Sequence, residues 1–128
     1  MNEVEMWRDM DCFKGIDLED TIVLSWSQTN NHVVFQLEVS IWPESPHYEA
    51  PKINEYTCYK KGVLKFSGTS NVQGLKEQAH AISSIDPDGS IDYGNIDCLG
   101  KTASGFEVVG EFGSVHITGG ELSFEIYA

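Results

Sequence analysis

Basic residues are scarce in this chain: eight lysines and arginines face twenty aspartates and glutamates across 128 residues, a formal charge of −12. That deficit disfavours nucleic acid and anionic membrane as partners, because phosphate is repelled where a binding protein would neutralise it. Cysteine is scarce too. Cys12, Cys58 and Cys98 are odd in number, widely spaced and never in a Cys-x-x-Cys pair, so reduced structural thiols are expected in place of a secreted disulfide framework. No apolar run approaches the roughly 18 residues that a membrane helix requires. The opening Met1-Asn2-Glu3-Val4-Glu5 has neither the basic nor the apolar region of a secretory leader, which fits a cytoplasmic home.

Motifs that carry chemistry are missing as well. There is no Gly-x-Ser-x-Gly elbow, phosphate-cradling glycine loop or dinucleotide fingerprint. His32, His47, His80 and His116 have no metal-ligand spacing such as His-x-x-x-His. Glu107 and Glu111 resemble a glycosidase carboxylate pair only in kind, since strand alternation points both into solvent. The stretch Ser84-Ile85-Asp86-Pro87-Asp88-Gly89-Ser90-Ile91-Asp92-Tyr93-Gly94-Asn95 overlays a calcium loop in part. It puts serine in the first ligand position and asparagine where the bidentate glutamate belongs, so a plain turn is expected, with weak divalent binding as the alternative. No catalytic residue, cofactor or resident metal is expected.

Strand patterning is what the chain has in quantity. Its 128 residues suit a single domain burying about 68% of its unfolded surface, and a 41% hydrophobic fraction supports a real core. Val33, Phe35, Leu37, Val39 and Ile41 alternate with Gln36, Glu38 and Ser40, the period-two signature of a half-buried strand. Ile22, Leu24 and Trp26 alternate in the same way, and Gln28-Thr29-Asn30-Asn31 supplies the turn of an antiparallel hairpin. The three prolines between Pro43 and Pro51 require a loop. Strands are expected again over 55–59 and 63–66 with a turn at Lys60-Lys61-Gly62, then over 90–99, 105–112, 114–117 and 121–127 with a hairpin loop at Gly119-Gly120. Ser70 and Gln73 fit a capping box, and Leu75, Ala79 and Ile82 recur at helical spacing, so one short helix is expected over 70–82. The fold expected is mainly β: a single-domain antiparallel sandwich or partly closed barrel with that helix in a crossover. An α+β arrangement, the helix packed on a sheet face, is the alternative.

Charge is concentrated at the two ends. Residues 1–20 carry a net −5, residues 21–76 a net +1, and residues 77–128 a net −8 with Lys101 as their one basic residue. Such a field attracts a basic protein and speeds encounter with it. The expected contacts are the carboxylates of Asp86, Asp88, Asp92, Glu107 and Glu111, with Trp42 and Tyr48 as apolar anchors. Trp42 has the polar parity of its strand, and packing against a second sheet is its alternative role.

The segment from Trp7 through Phe13-Lys14-Gly15-Ile16-Asp17-Leu18-Glu19-Asp20, together with Asp92–Asp97, resembles small acidic bacterial proteins of unknown function, including some immunity proteins of polymorphic toxin systems. The resemblance implies an intracellular, non-enzymatic protein that binds and neutralises a toxin; it transfers no residue roles. A small-ligand-binding barrel or sandwich is the alternative function.

Overall fold

The computed structural model describes residues 4–53, 57–81, 83–85, 87 and 91–127. Nine strands are present among them: β1 Glu5–Met6, β2 Ile16–Thr29, β3 His32–Ile41, β4 Cys58–Gln73, β5 Ser84–Ile85, β6 Ile91–Asp92, β7 Ile96–Lys101, β8 Gly105–Gly110 and β9 Gly113–Ile126. Seven of them form one sheet in the order β1-β7-β8-β9-β4-β3-β2, and β5 and β6 make a separate two-stranded hairpin. Every pairing is antiparallel. The large sheet curls without closing into a barrel. A single bridge, Ile22 to Asn95, ties its β2 edge to the residues leading into β7. No helix of the described residues is long and apolar enough to cross a membrane.

The mainly β expectation is met, and β3 follows its alternation closely. Val33, Phe35, Leu37, Val39 and Ile41 have no exposed surface, each such burial being worth about 1.5–3 kcal/mol before entropic costs. The concave side is filled by rings in contact. Phe35 lies 4.7 Å from Phe112 and 6.4 Å from Phe66, and Phe66 lies 5.0 Å from Phe106. The predicted β2–β3 hairpin is also present, with Thr29 opposite His32.

β2 departs from simple alternation. Its register against β3 shifts between Asp17 and Ile22 and again between Val23 and Ser25. These bulges move Thr21 and Val23 to the buried face and leave Ile22 and Leu24 only half-buried, correcting the uniform Ile22-Leu24-Trp26 stripe. Trp26, beyond the second shift, rejoins the core side and stacks edge-on to Tyr93 at 5.1 Å.

Three further expectations are corrected. Lys60-Lys61-Gly62 is no turn, because β4 runs straight through it and pairs those residues with Val39, Glu38 and Leu37. Gly62 is there for close approach: a Cβ would sit 2.7 Å from the Glu125 carbonyl oxygen and 2.8 Å from a Val39 methyl. The predicted strand over 55–59 begins at Cys58, its residues 55 and 56 lying outside the described residues. Gly119-Gly120 is no hairpin loop either. Both have positive φ, 71° and 91°, but they bend one continuous β9 where its ladder with β4 shifts register between Thr69 and Asn71. The hairpin turn falls earlier, at Glu111-Phe112 between the paired Gly110 and Gly113.

The predicted helix over 70–82 is absent. Ser70 through Gln73 belong to β4, and the Ser70 hydroxyl donates to the Thr118 carbonyl at 3.1 Å where a capping box would have turned it inward. A single 3₁₀ turn, Gln78–His80, is all that coils there; Ile82 lies outside the described residues. Ladder pairing with β9, from Val72–Ile117 to Gln73–His116, outweighs a weak local preference.

Candidate functional site

Two single-turn 3₁₀ helices, Trp7–Asp9 and Asp11–Phe13, follow β1 and plug one end of the curled sheet. Trp7 and Phe13 are 4% and 2% exposed, and Phe13 packs on Phe124 of β9 with ring centroids 4.8 Å apart. The chain then passes Gly15, whose φ of 75° and lack of a Cβ allow it within 2.6 Å of the Ser45 backbone nitrogen (measured from where a Cβ would stand). The Trp42 amide donates to the Gly15 carbonyl at 2.8 Å. This clasp holds the start of the proline loop against the N-terminal plug.

A groove of about 370 Å³ opens along the clasp, with Trp7, Phe13 and Ile16 at its apolar floor and Asp9, Asp11, Lys14 and Trp42 around it. Trp42 is 41% exposed, the polar parity having placed it outside the core. A second groove of about 260 Å³ lies across Asp11, Lys14 and Ile16, bordered by Cys12, His47 and Phe124. The Arg8 guanidinium lies 4.7 Å from the Trp7 ring centroid and pairs with the Glu19 carboxylate. Tyr48, the other expected anchor, is half-buried and packs against the core.

The expected carboxylates lie elsewhere. Asp92 ends β6 and accepts from the Gly94 amide at 3.1 Å. Glu111 occupies the β8–β9 turn, close enough that a Cβ on Gly94 would come within 3.1 Å of its Cγ. Glu107 stands on β8, opposite Gly100 on β7 and His116 on β9. Asp86 and Asp88 lie outside the described residues. Asp92 and Glu111 are therefore neighbours, with Glu107 about 13 Å along the strand from Glu111 at some 3.3 Å per residue. Trp42 and Tyr48 belong to a different surface: their plug meets β9 at Phe124, whereas Glu111 precedes the other end of β9 at Gly113. The expected contacts that are described therefore lie on two surfaces, an acidic one formed by β6, β8 and the β8–β9 turn, and an indole-rimmed groove.

Within the Ser84–Asn95 stretch, β5 and β6 pair Ile85 with Ile91, while most of the expected turn between them, residues 86 and 88–90, lies outside the described residues. The Asn95 side-chain amide donates to the Thr21 carbonyl at 2.8 Å, committing it to the β2 bulge. No group of three or more metal-ligating side chains occurs among the described residues.

Electrostatically, the acidic surface is little compensated. Among the described residues Lys60 pairs with Glu49 at 3.2 Å and Lys61 with Glu38 at 3.8 Å, while Asp92, Glu107 and Glu111 form no ion pair. Cys98 on β7 reports the resulting field: burial pushes its thiol pKa up, and Glu107 and then Asp97 push it further. Cys12 is raised as well. Its residue is exposed overall, but local desolvation of the thiol leads, a backbone hydrogen bond opposes it, and Asp11 and Glu5 add to the rise.

The groove floor was hard to foresee. Trp7 and Phe13 lie in 3₁₀ turns with no strand period, Ile16 only begins β2, and the clasp depends on the positive φ at Gly15 and its hydrogen bond with Trp42; in sequence this leaves an aromatic pair ahead of a glycine as the signal. Comparison with protein-family models, curated proteins and solved structures finds no match for the chain.

Proposed function

We propose that this protein is a non-enzymatic recognition domain for a basic protein partner. The observation that carries this reading is the set of carboxylates of Asp92 on β6, Glu107 on β8 and Glu111 in the β8–β9 turn, without ion pairs among the described residues and with Lys101 as the one basic residue after position 76. Complementary charge at such a surface steers a cationic partner into encounter, and less solvated groups then hold the complex. The filled interior favours this role over small-ligand capture within the sheet, because Phe35, Phe66 and Phe112 have no exposed surface and occupy the concave side.

A toxin-neutralising role is the specific form of this proposal, taken from the resemblance to acidic immunity proteins. Such a protein acts by occupying its target and performs no reaction. Co-expression with the product of the reading frame beside its gene is the test. The proposal expects that product to be basic, to arrest growth when expressed alone, and to co-purify with this chain, with growth restored. Unrelieved toxicity, or no complex between the two, would overturn the immunity reading.

A further inference from the structure

The recognition reading leaves open what the indole-rimmed groove receives, and the groove's own chemistry narrows the choice. Trp42 differs from Trp26 in how its polar atom is used. The Trp26 indole N–H donates to the Lys76 carbonyl at 2.8 Å, while that of Trp42 has no hydrogen-bond partner among the described residues and the residue is 41% exposed. A large ring held at a groove rim by a backbone clasp, with its N–H uncommitted, has the properties of a binding anchor.

The same groove already contains one cation on an indole, Arg8 over Trp7 at 4.7 Å, with Glu19 supplying the counter-charge. Once that pair is matched, Asp9 and Asp11 face Lys14 alone around the groove, leaving one negative charge in surplus. The volume of about 370 Å³ falls within the size class of ligand sites, roughly 300–1,000 Å³.

We propose that this groove receives an arginine-bearing segment of the basic partner, its guanidinium stacked on the Trp42 indole with Asp9 and Asp11 supplying the counter-charge. Arginine is favoured over lysine because its planar, weakly hydrated guanidinium stacks on aromatic faces. The inference rests on the recognition reading and specifies where the partner is gripped.

The test is an NMR titration of the ¹⁵N-labelled full chain, following the indole N–H signals of Trp7, Trp26 and Trp42. The probe is a peptide of about six residues alternating arginine and glycine, compared with its lysine and glutamate counterparts. The Trp42 signal should move saturably and further than the other two, with tighter binding for arginine than for lysine and none for glutamate. Trp42→Ala should weaken arginine-peptide binding about three- to tenfold, in keeping with a partly exposed cation–π contact. Trp42→Phe should recover part of the loss, which separates ring stacking from a packing defect. Asp9→Asn with Asp11→Asn should weaken binding as well.

Equal affinity for arginine and lysine peptides, shifts spread evenly over the three indoles, or binding unaffected by Trp42→Ala would overturn the proposal in favour of diffuse charge attraction. A Trp42 shift that appears with protein concentration alone would overturn it in favour of a second copy of the chain. The two failures are separable. A basic protein still bound through Asp92, Glu107 and Glu111 with Trp42 silent removes only the groove, whereas no salt-dependent binding of either probe removes the recognition reading too.

Discussion

At the scale of single residues, glycine and threonine positions in the β4–β9 ladder state their roles most sharply. Gly62→Val would drive a side chain into the Glu125 carbonyl and the Val39 methyl, and a loss of about 1–3 kcal/mol is expected from overpacking, measured by urea unfolding. Thr69 offers the opposite sign. It is 6% exposed, and its hydroxyl oxygen is buried without a hydrogen-bond partner among the described residues. Thr69→Val keeps the shape and removes the orphaned group, so unfolding should become harder by about 1 kcal/mol. Cys98 reads the local field. Burial, Glu107 and Asp97 raise its thiol pKa above the usual 9.0. A raised acid pKa in the folded state contributes stability below the unfolded thiol value, and that contribution fades as pH climbs through the folded one. Glu107→Gln should bring the Cys98 pKa down, so alkylation at a fixed mildly alkaline pH should quicken; an unchanged pH–rate profile would mean that Glu107 contributes nothing to the field there.

At the scale of elements, the exposed side of β2 is managed by a loop. The Trp26 amide donates to the Gln78 side-chain oxygen at 3.0 Å while its indole donates to Lys76, so residues 76–78 cover backbone donors that an edge strand would otherwise present to other chains. Gln78→Ala should cost about 1 kcal/mol for the lost bond and raise aggregation on mild heating, read by light scattering. This strap also accounts for what sequence could not convey. Leu75 and Ala79 suggested a helix because their spacing is helical, yet tertiary pairing of Val72 and Gln73 with β9 held the preceding residues extended. Where one face of a strand is buried throughout, as in β3, period two was legible. Where bulges reverse the faces, as at Leu24 of β2 or Gly119-Gly120 of β9, periodicity could not be followed. Both glycines do adopt positive φ, but a bend and a hairpin turn demand the same backbone freedom. The candidate surface was legible in part for the same reason: the parity of Trp42 and the carboxylate excess lie in local sequence, while their separation depends on how the long β9 is traversed.

At the scale of the whole molecule, a charge of −12 on 128 residues carries a self-repulsion that salt relieves. Raising ionic strength from about 0.01 M to about 0.15 M shortens the screening length from ~30 Å to ~8 Å. The melting temperature should therefore rise over that interval. A flat or falling melting curve would mean that the carboxylates are compensated better than the few ion pairs suggest.

The same screening should act on partner binding with the opposite consequence. The most direct measurement is the stopped-flow association rate with the basic partner across this range of ionic strength, for the native chain and for Asp92→Asn/Glu107→Gln/Glu111→Gln. A rate that falls at least tenfold for the native chain, and distinctly less for the triple variant, is what recognition through this acidic surface predicts. An association rate indifferent to salt, or equally steep in both proteins, would contradict it.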